Sequence, residues 1–298
     1  MNQILFLGAG EIGTALAHVV QNRGHLEMWD KDPKRASGSN PLEQSVPLAD
    51  IIFLCIPSWA VREVLATIVP FLRPKTILIS LAKGMEEKTL KTMDVLLEES
   101  LPRLQPFALL GGPLLAEELM ADLPGIGVVA SSFPVIVEKL RPLFEGSSLR
   151  LEYTNDVHTV ALMAVLKNVY AIGLGIAEGL NWGWNGKGWL AVQATQEMQG
   201  IIDVLGGRKE DVYNSAGMGD FFATAMSPNS RNRESGREIG LTGACTLPGE
   251  GCHSLPLLLS LLGETASQFP FLFSLDRIIT KHENPKGVFY DFFRKTDI

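Results

Sequence analysis

The chain has little cysteine: Cys55, Cys245 and Cys252 are the only three among 298 residues. They offer neither a disulfide framework nor a CxxC metal spacing, and such sparse thiol usage fits a reducing compartment, here the cytoplasm. Positive charge is also short, since 26 lysines and arginines stand against 33 aspartates and glutamates, leaving a formal net charge of −7. Nucleic-acid binding therefore has no bulk electrostatic support, although a local basic cluster can still hold an anion. No internal repeat or low-complexity tail occurs. The opening MNQILFLGAG has no basic segment ahead of its apolar residues, so it is not read as a signal peptide. His158 and His253 show no metal-like spacing, and no metal is expected. Long apolar runs are confined to residues 159–177, which carry one charge, Lys167, at their centre. A lysine there would cost roughly 2.5–3.5 kcal/mol in a bilayer even on lenient scales, so a buried helix is expected and membrane insertion is not.

What is present is alternation. Short apolar runs at 4–7, 26–29, 51–56, 76–81, 107–110, 127–130 and 150–153 read as strands. Residues 12–23, 59–69 and 87–100 between them read as helices. This order predicts an α/β fold with a doubly wound, mainly parallel sheet. Beyond 155 the pattern changes to helices at 157–180, 188–206, 210–224, 254–266 and 270–281. Residues 225–251, rich in Ser, Asn, Gly, Arg and Pro, read as loop with some short helix. The expected division is a dinucleotide-binding domain over 1–155 and an all-α domain over 156–298.

The first strand ends in Gly8-x-Gly10-x-x-Gly13, which opens a helix. Gly8 allows the tight turn, Gly10 lets backbone approach a pyrophosphate, and Gly13 lets helix and strand pack closely. The helix N-terminus adds N–H donors and partial positive charge. Asp30, at the end of the second strand, is placed to accept hydrogen bonds from an adenosine ribose. A tight turn without a ligand is the competing reading. Asp30 favours NAD, whereas Lys31, Lys34 and Arg35 could hold the 2′-phosphate of NADP or form a solvated loop.

Lys167 is the chain's most telling residue. An ammonium among apolar side chains loses its proton or finds a partner, and a buried lysine is a natural general acid/base.

Taken with the blocks GAGEIGTALA (8–17), IPSWAVREVL (56–65), AKGME (82–86), GGPLLAEEL (111–119), VLKNVYAIGLGIAEGL (165–180), GMGDFFAT (217–224), SPNSRN (227–232) and GEG (249–251), the chain resembles the bacterial type of NAD(P)-dependent glycerol-3-phosphate dehydrogenase. The resemblance implies a Rossmann-type domain followed by a helical substrate domain. It implies Lys167 as proton donor and acceptor, with Lys83 lining the substrate and nicotinamide site and helping to lower the lysine's pKa. Asp220, Thr224 and Asn168 would orient substrate and lysine. Ser230, Arg231 and Asn232 would bind the phosphate, and Gly112 would contribute backbone. Gly8, Gly10, Glu11, Ile12, Gly13, Asp30, Lys31, Lys83, Ala116, Arg231 and Glu250 would form the cofactor set. The partner implied is a small phosphorylated substrate, and a homodimer is an allowed assembly. The reaction would reduce dihydroxyacetone phosphate to glycerol 3-phosphate and feed phospholipid synthesis.

Bland readings stand beside several of these roles: Lys83 as a solvated turn residue, 230–232 as a polar loop, Asp220 as a helix N-cap and Glu250 as a turn residue. The chain also departs from the family pattern. Ile12 stands where Trp is common, Lys31 where Arg is usual, Leu114-Leu115 for Ser-Phe, and Val192-Gln193-Ala194 for Thr-Arg-Gly, and the loop after Asp30 is short. These departures leave two further readings open. One is a related dehydrogenase of another small hydroxy compound, and the other is a catalytically weak dinucleotide-binding regulator.

Overall fold

The computed structural model describes residues 2–36 and 40–295. They divide into two compact units, one made of the residues up to Glu86 with Lys91–Ala161, the other of Glu87–Leu90 with the residues from Leu162 on.

The first unit is built on seven strands, β1 (Asn2–Leu7), β2 (Gly24–Trp29), β3 (Ile51–Leu54), β4 (Ile77–Ser80), β5 (Phe107–Gly111), β6 (Gly125–Ala130) and β7 (Leu149–Thr154). Their order is β2-β1-β3-β4-β5-β6-β7, and every pair is parallel except β5 with β6. β3 and β4 are buried at every residue, as continuous apolar strands covered on both faces must be. Phe6 and Phe53 on adjacent strands stack with ring centroids 4.9 Å apart. The helices of this unit are α1 (Glu11–Val19), α2 (Leu42–Ser45), α3 (Val61–Ile68), α4 (Met93–Ser100), α5 (Ala116–Met120) and α6 (Val135–Phe144).

The helix expected over 87–100 begins only at Met93. Before it the chain folds back, with the Glu86 N–H donating to the Lys91 carbonyl at 2.8 Å, a bridge between Met85 and Thr92, and Leu90 at φ +58°. Side-chain charge holds this turn: Arg62 bonds both Glu86 and Glu99, and Lys91 bonds Glu99. Such pairing is invisible to apolar periodicity.

The second unit is helical. Its long element, α7 (Val157–Gly179), starts in the first unit and continues through the second. The apolar window that would suit a membrane is entirely buried inside the protein. Then follow α8 (Trp184–Val204), α9 (Asp220–Met226), α10 (Arg231–Thr242), α11 (Glu250–Leu262), α12 (Pro270–Ile279) and α13 (Pro285–Lys295). Tyr170 of α7 packs on Phe271 of α12 at 5.5 Å, and Phe271 stacks on Phe292 of α13 at 5.2 Å.

Three expectations are corrected here. The helix read over 210–224 breaks at Gly217, whose φ −87°, ψ −106° is not helical and whose N–H donates to the Asn214 side chain. Residues 225–251 contain a full twelve-residue helix, α10, and α13 covers residues for which no element was expected. α10 escaped because it packs through glycine rather than through an apolar stripe: Cβ atoms added at Gly236 and Gly240 would lie 2.0 Å and 2.4 Å from the carbonyl oxygens of Ile172 and Ile176. Finally, α8 and α11 begin about four residues earlier than expected, at Trp184 and Glu250.

Candidate active site

In the first unit the candidate residues stand at the C-terminal ends of parallel strands, where open α/β sheets bind ligands. β1 lies between β2 and β3, so the strand order reverses there, and the glycine turn follows β1 directly. Gly8 has φ +106°, and a Cβ on it would lie 2.3 Å from the Cys55 carbonyl oxygen. A Cβ on Gly13 would lie 2.1 Å from the Gly8 carbonyl oxygen, so only glycine lets α1 sit this close to the turn. Gly10 differs, because a Cβ there would meet no atom within 4 Å. The space over Gly10 is open, and its lack of a side chain keeps it so for a phosphate group. Glu11 is exposed at the start of α1, and Ile12 packs against the sheet's core.

Asp30 does more than was expected of it. Its carboxylate accepts from the Ala9 N–H at 2.8 Å and from the Asp32 N–H at 2.9 Å, tying the glycine turn to the end of β2. A carboxylate has about four acceptor positions, so capacity for a ribose remains. Lys31, Lys34 and Arg35 are exposed beside it, and the rest of that loop, 37–39, falls outside the described residues. Lys83 is half-buried just past β4. Gly112, just past β5, has φ +101°, and a Cβ there would lie 2.5 Å from the Ile126 carbonyl oxygen. Ala116 opens α5. Leu114 is 7% exposed and belongs to the core of this unit, so the side chain that replaces a hydroxyl is a packing residue. Burial pushes the Cys55 thiol far above its ordinary range, which makes it an inert packing group.

In the second unit Lys167 has found its partner. Its Nζ donates to Asp220 Oδ1 at 2.9 Å and to Thr224 Oγ1 at 2.8 Å, and Thr224 Oγ1 donates to the same carboxylate oxygen at 3.3 Å. Both charged side chains are 4% exposed. The break at Gly217 lets α9 start afresh, and Asp220 and Thr224, four residues apart, share one face of it.

The next residue on α7 makes a second cluster. Asn168 Oδ1 accepts from Asn232 Nδ2 at 2.9 Å, and Asn232 Oδ1 accepts from the Gly251 N–H, also at 2.9 Å. Ser230 is the N-cap of α10, accepting from the Arg233 N–H at 3.3 Å, and it is buried, whereas Arg231 is exposed. Glu250 opens α11, and its Oε1 is buried with no hydrogen-bond partner among the described residues. A shielded acceptor without a donor is costly. A ligand amide or hydroxyl would satisfy it. In the first unit, the open space over Gly10 and the spare capacity of Asp30 fit a dinucleotide.

Two pairings had no sequence signal. Glu197 on α8 accepts from Tyr170 Oη at 2.7 Å and from the Phe271 and Leu272 N–H groups at 2.6 Å and 2.8 Å, capping α12. Burial pushes its carboxyl up to about 7 despite these donors. Arg233 and Glu178 join α10 to α7 in a two-pronged ion pair.

The family model described as the NAD-dependent glycerol-3-phosphate dehydrogenase N-terminus matches residues 33–134, and that for the C-terminus matches 156–290. The chain belongs to the NAD-dependent glycerol-3-phosphate dehydrogenase family. Among its relatives, glycerol-3-phosphate dehydrogenase [NAD(P)+] of Clostridium acetobutylicum is 31% identical, with 99% of this chain and 98% of the relative aligned. The enzyme of the same name from Acinetobacter baylyi is 33% identical over 80% of this chain and 72% of the relative. The crystal structure of glycerol-3-phosphate dehydrogenase from Coxiella burnetii superposes with a TM-score of 0.89 at 26% identity, covering 99% of each chain. A glycerol-3-phosphate dehydrogenase structure from Plasmodium falciparum, 18% identical with a TM-score of 0.87 over 100% of this chain and 96% of that one, shares the fold. As a member of this dehydrogenase family, the chain is an NAD(P)-dependent oxidoreductase.

Proposed function

We propose that this chain reduces dihydroxyacetone phosphate to glycerol 3-phosphate, the backbone from which phospholipids are assembled, and that Lys167 moves the proton. The observation that carries this reading is the buried Lys167–Asp220–Thr224 set, one residue from the Asn168–Asn232 pair. When bound, NAD(P)H supplies the hydride to the carbonyl carbon. Gly8, Gly10 and Gly13 would hold the pyrophosphate with Glu11 and Ile12, and Asp30 the ribose. Lys31 would admit a 2′-phosphate, and Ala116, Arg231 and Glu250 would touch the cofactor.

Lys167 would donate its proton to the carbonyl oxygen and stabilise the developing alkoxide. Asp220 and Thr224 accept two of its N–H bonds, which fixes where Nζ sits. The pair also keeps a charged lysine affordable in an apolar interior. Lys83 and the Gly112 backbone would line the substrate. Ser230, Arg231 and Asn232 would hold its phosphate, a guanidinium beside short polar donors being suited to that anion.

We place the domain division at 155/156, just ahead of α7, although the compact units part six residues later, within that helix, and we place the protein in the cytoplasm, acting without nucleic acid or membrane insertion. A homodimer is supported by aromatic side chains left exposed in the second unit, Trp184, Tyr290 and Phe293, and sedimentation would measure it. The deciding assay follows reduced nicotinamide by absorbance with dihydroxyacetone phosphate as substrate. Turnover by the wild type, lost in Lys167→Met, supports the reading. No oxidation of either NADH or NADPH would overturn it.

A further inference from the structure

Arg233 follows the Ser230–Asn232 set immediately and makes three contacts of different kinds. Its backbone N–H donates to the Ser230 hydroxyl at 3.3 Å. Its carbonyl oxygen lies where a Cβ on Gly175 of α7 would come within 2.2 Å, so at this point the two helices touch backbone to backbone. Its guanidinium makes a two-pronged bond to Glu178, one turn further along α7, with Nε donating to Oε2 at 2.9 Å and the terminal nitrogen donating to Oε1. The two side chains are only 17% and 28% exposed. Gly179 and Gly240 continue the same crossing: a Cβ on Gly179 would lie 2.3 Å from the Arg237 carbonyl oxygen.

This geometry has one consequence for the site. α7 carries Lys167 and Asn168, and the first turn of α10 carries Ser230, Arg231 and Asn232. A glycine crossing permits close approach but gives few side-chain contacts to resist sliding or rotation. The bidentate ion pair supplies that resistance at the end of α10 nearest the proposed phosphate donors. A planar guanidinium fixes a carboxylate in two directions, which a lysine cannot do.

We propose that Arg233 is a positioning residue which, through Glu178, locks the phosphate-binding turn of α10 to the lysine-bearing helix α7. The proposal rests on the phosphate assignment to Ser230–Asn232. Arg233 does not touch substrate; it sets where Ser230 and Asn232 stand relative to Lys167. A misplacement of about 1 Å at such a site is enough to cost up to about a hundredfold in rate or affinity.

The test is steady-state kinetics on the full chain with dihydroxyacetone phosphate and with unphosphorylated dihydroxyacetone, using Arg233→Met, Glu178→Gln, the double variant and Arg231→Ala. We expect Arg233→Met and Glu178→Gln each to raise KM for the phosphorylated substrate about tenfold with kcat changed less than about twofold, and the double variant to be no worse than the weaker single. For dihydroxyacetone, kcat/KM should stay within about twofold of wild type in both single variants. Loss in Arg233→Met with Glu178→Gln unchanged would mean that Arg233 holds the phosphate itself, and the proposal falls. Equal losses on both substrates would mean a merely structural strut, and it falls again. If Arg233→Met does not fold, Glu178→Gln and Arg233→Lys decide by the same split. No effect of Arg231→Ala on either substrate would instead overturn the phosphate assignment beneath the proposal.

Discussion

Lys167 and Asp220 stand 53 residues apart in sequence and meet in a buried ion pair of 2.9 Å, each side chain 4% exposed. Changing either removes the charge that faces the other across this buried contact. Asp220→Ala should therefore destabilise the fold by about 3–5 kcal/mol, the usual cost of breaking a buried pair. Urea denaturation measures this. A change below about 1 kcal/mol would show that the pair contributes no more than a surface contact.

Lys167→Met should lower kcat by about 10²–10⁴-fold, the range for lost general acid/base work. Cofactor binding should persist, because the glycine turn belongs to the other unit. Nicotinamide fluorescence on titration reports binding, and absorbance reports turnover. A variant with near wild-type kcat would remove Lys167 from the chemistry.

NADH and NADPH should both serve. Asp30 accepts two backbone N–H bonds and keeps capacity for a ribose, while Lys31, Lys34 and Arg35 are exposed beside it. The ratio of kcat/KM for the two cofactors should stay under about a thousandfold, roughly 4 kcal/mol. A larger preference would mean that the acid or the basic residues have no part in recognition.

Glu197 makes stability depend on pH. Burial raises its carboxyl from the ordinary 4.5 to about 7 in the folded protein. The native state then holds a proton that the unfolded chain has released, so this contribution is fully present below pH 4.5 and is lost as pH rises through about 7. The change is worth roughly 3 kcal/mol at 1.36 kcal/mol per unit. Glu197→Gln should flatten the stability profile between those limits, read as the midpoint of urea unfolding across pH. An unchanged slope would assign the dependence to other groups.

Much of the fold was legible in the chain because local chemistry decides it. Seven apolar runs became seven strands, and the glycine spacing at 8, 10 and 13 required one turn whatever lay around it, since close backbone approach excludes a Cβ at Gly8 and Gly13. Lys167 announced itself as the lone charge in the apolar run 159–177, and burial by packing followed. What the sequence could not determine were arrangements whose causes lie far along the chain. α10 was unreadable because glycine against backbone leaves no apolar period, and the start of α4 was displaced by ion pairs among Arg62, Glu86, Lys91 and Glu99. The partner of Lys167, the Asn168–Asn232 bond, the Arg233–Glu178 strut and the cap that Glu197 places on α12 join residues 53 to 75 positions apart. Periodicity reports what one element shows to its surroundings. Which polar group meets which is decided only when the elements pack, because a buried polar group must take the donors and acceptors that tertiary structure brings to it.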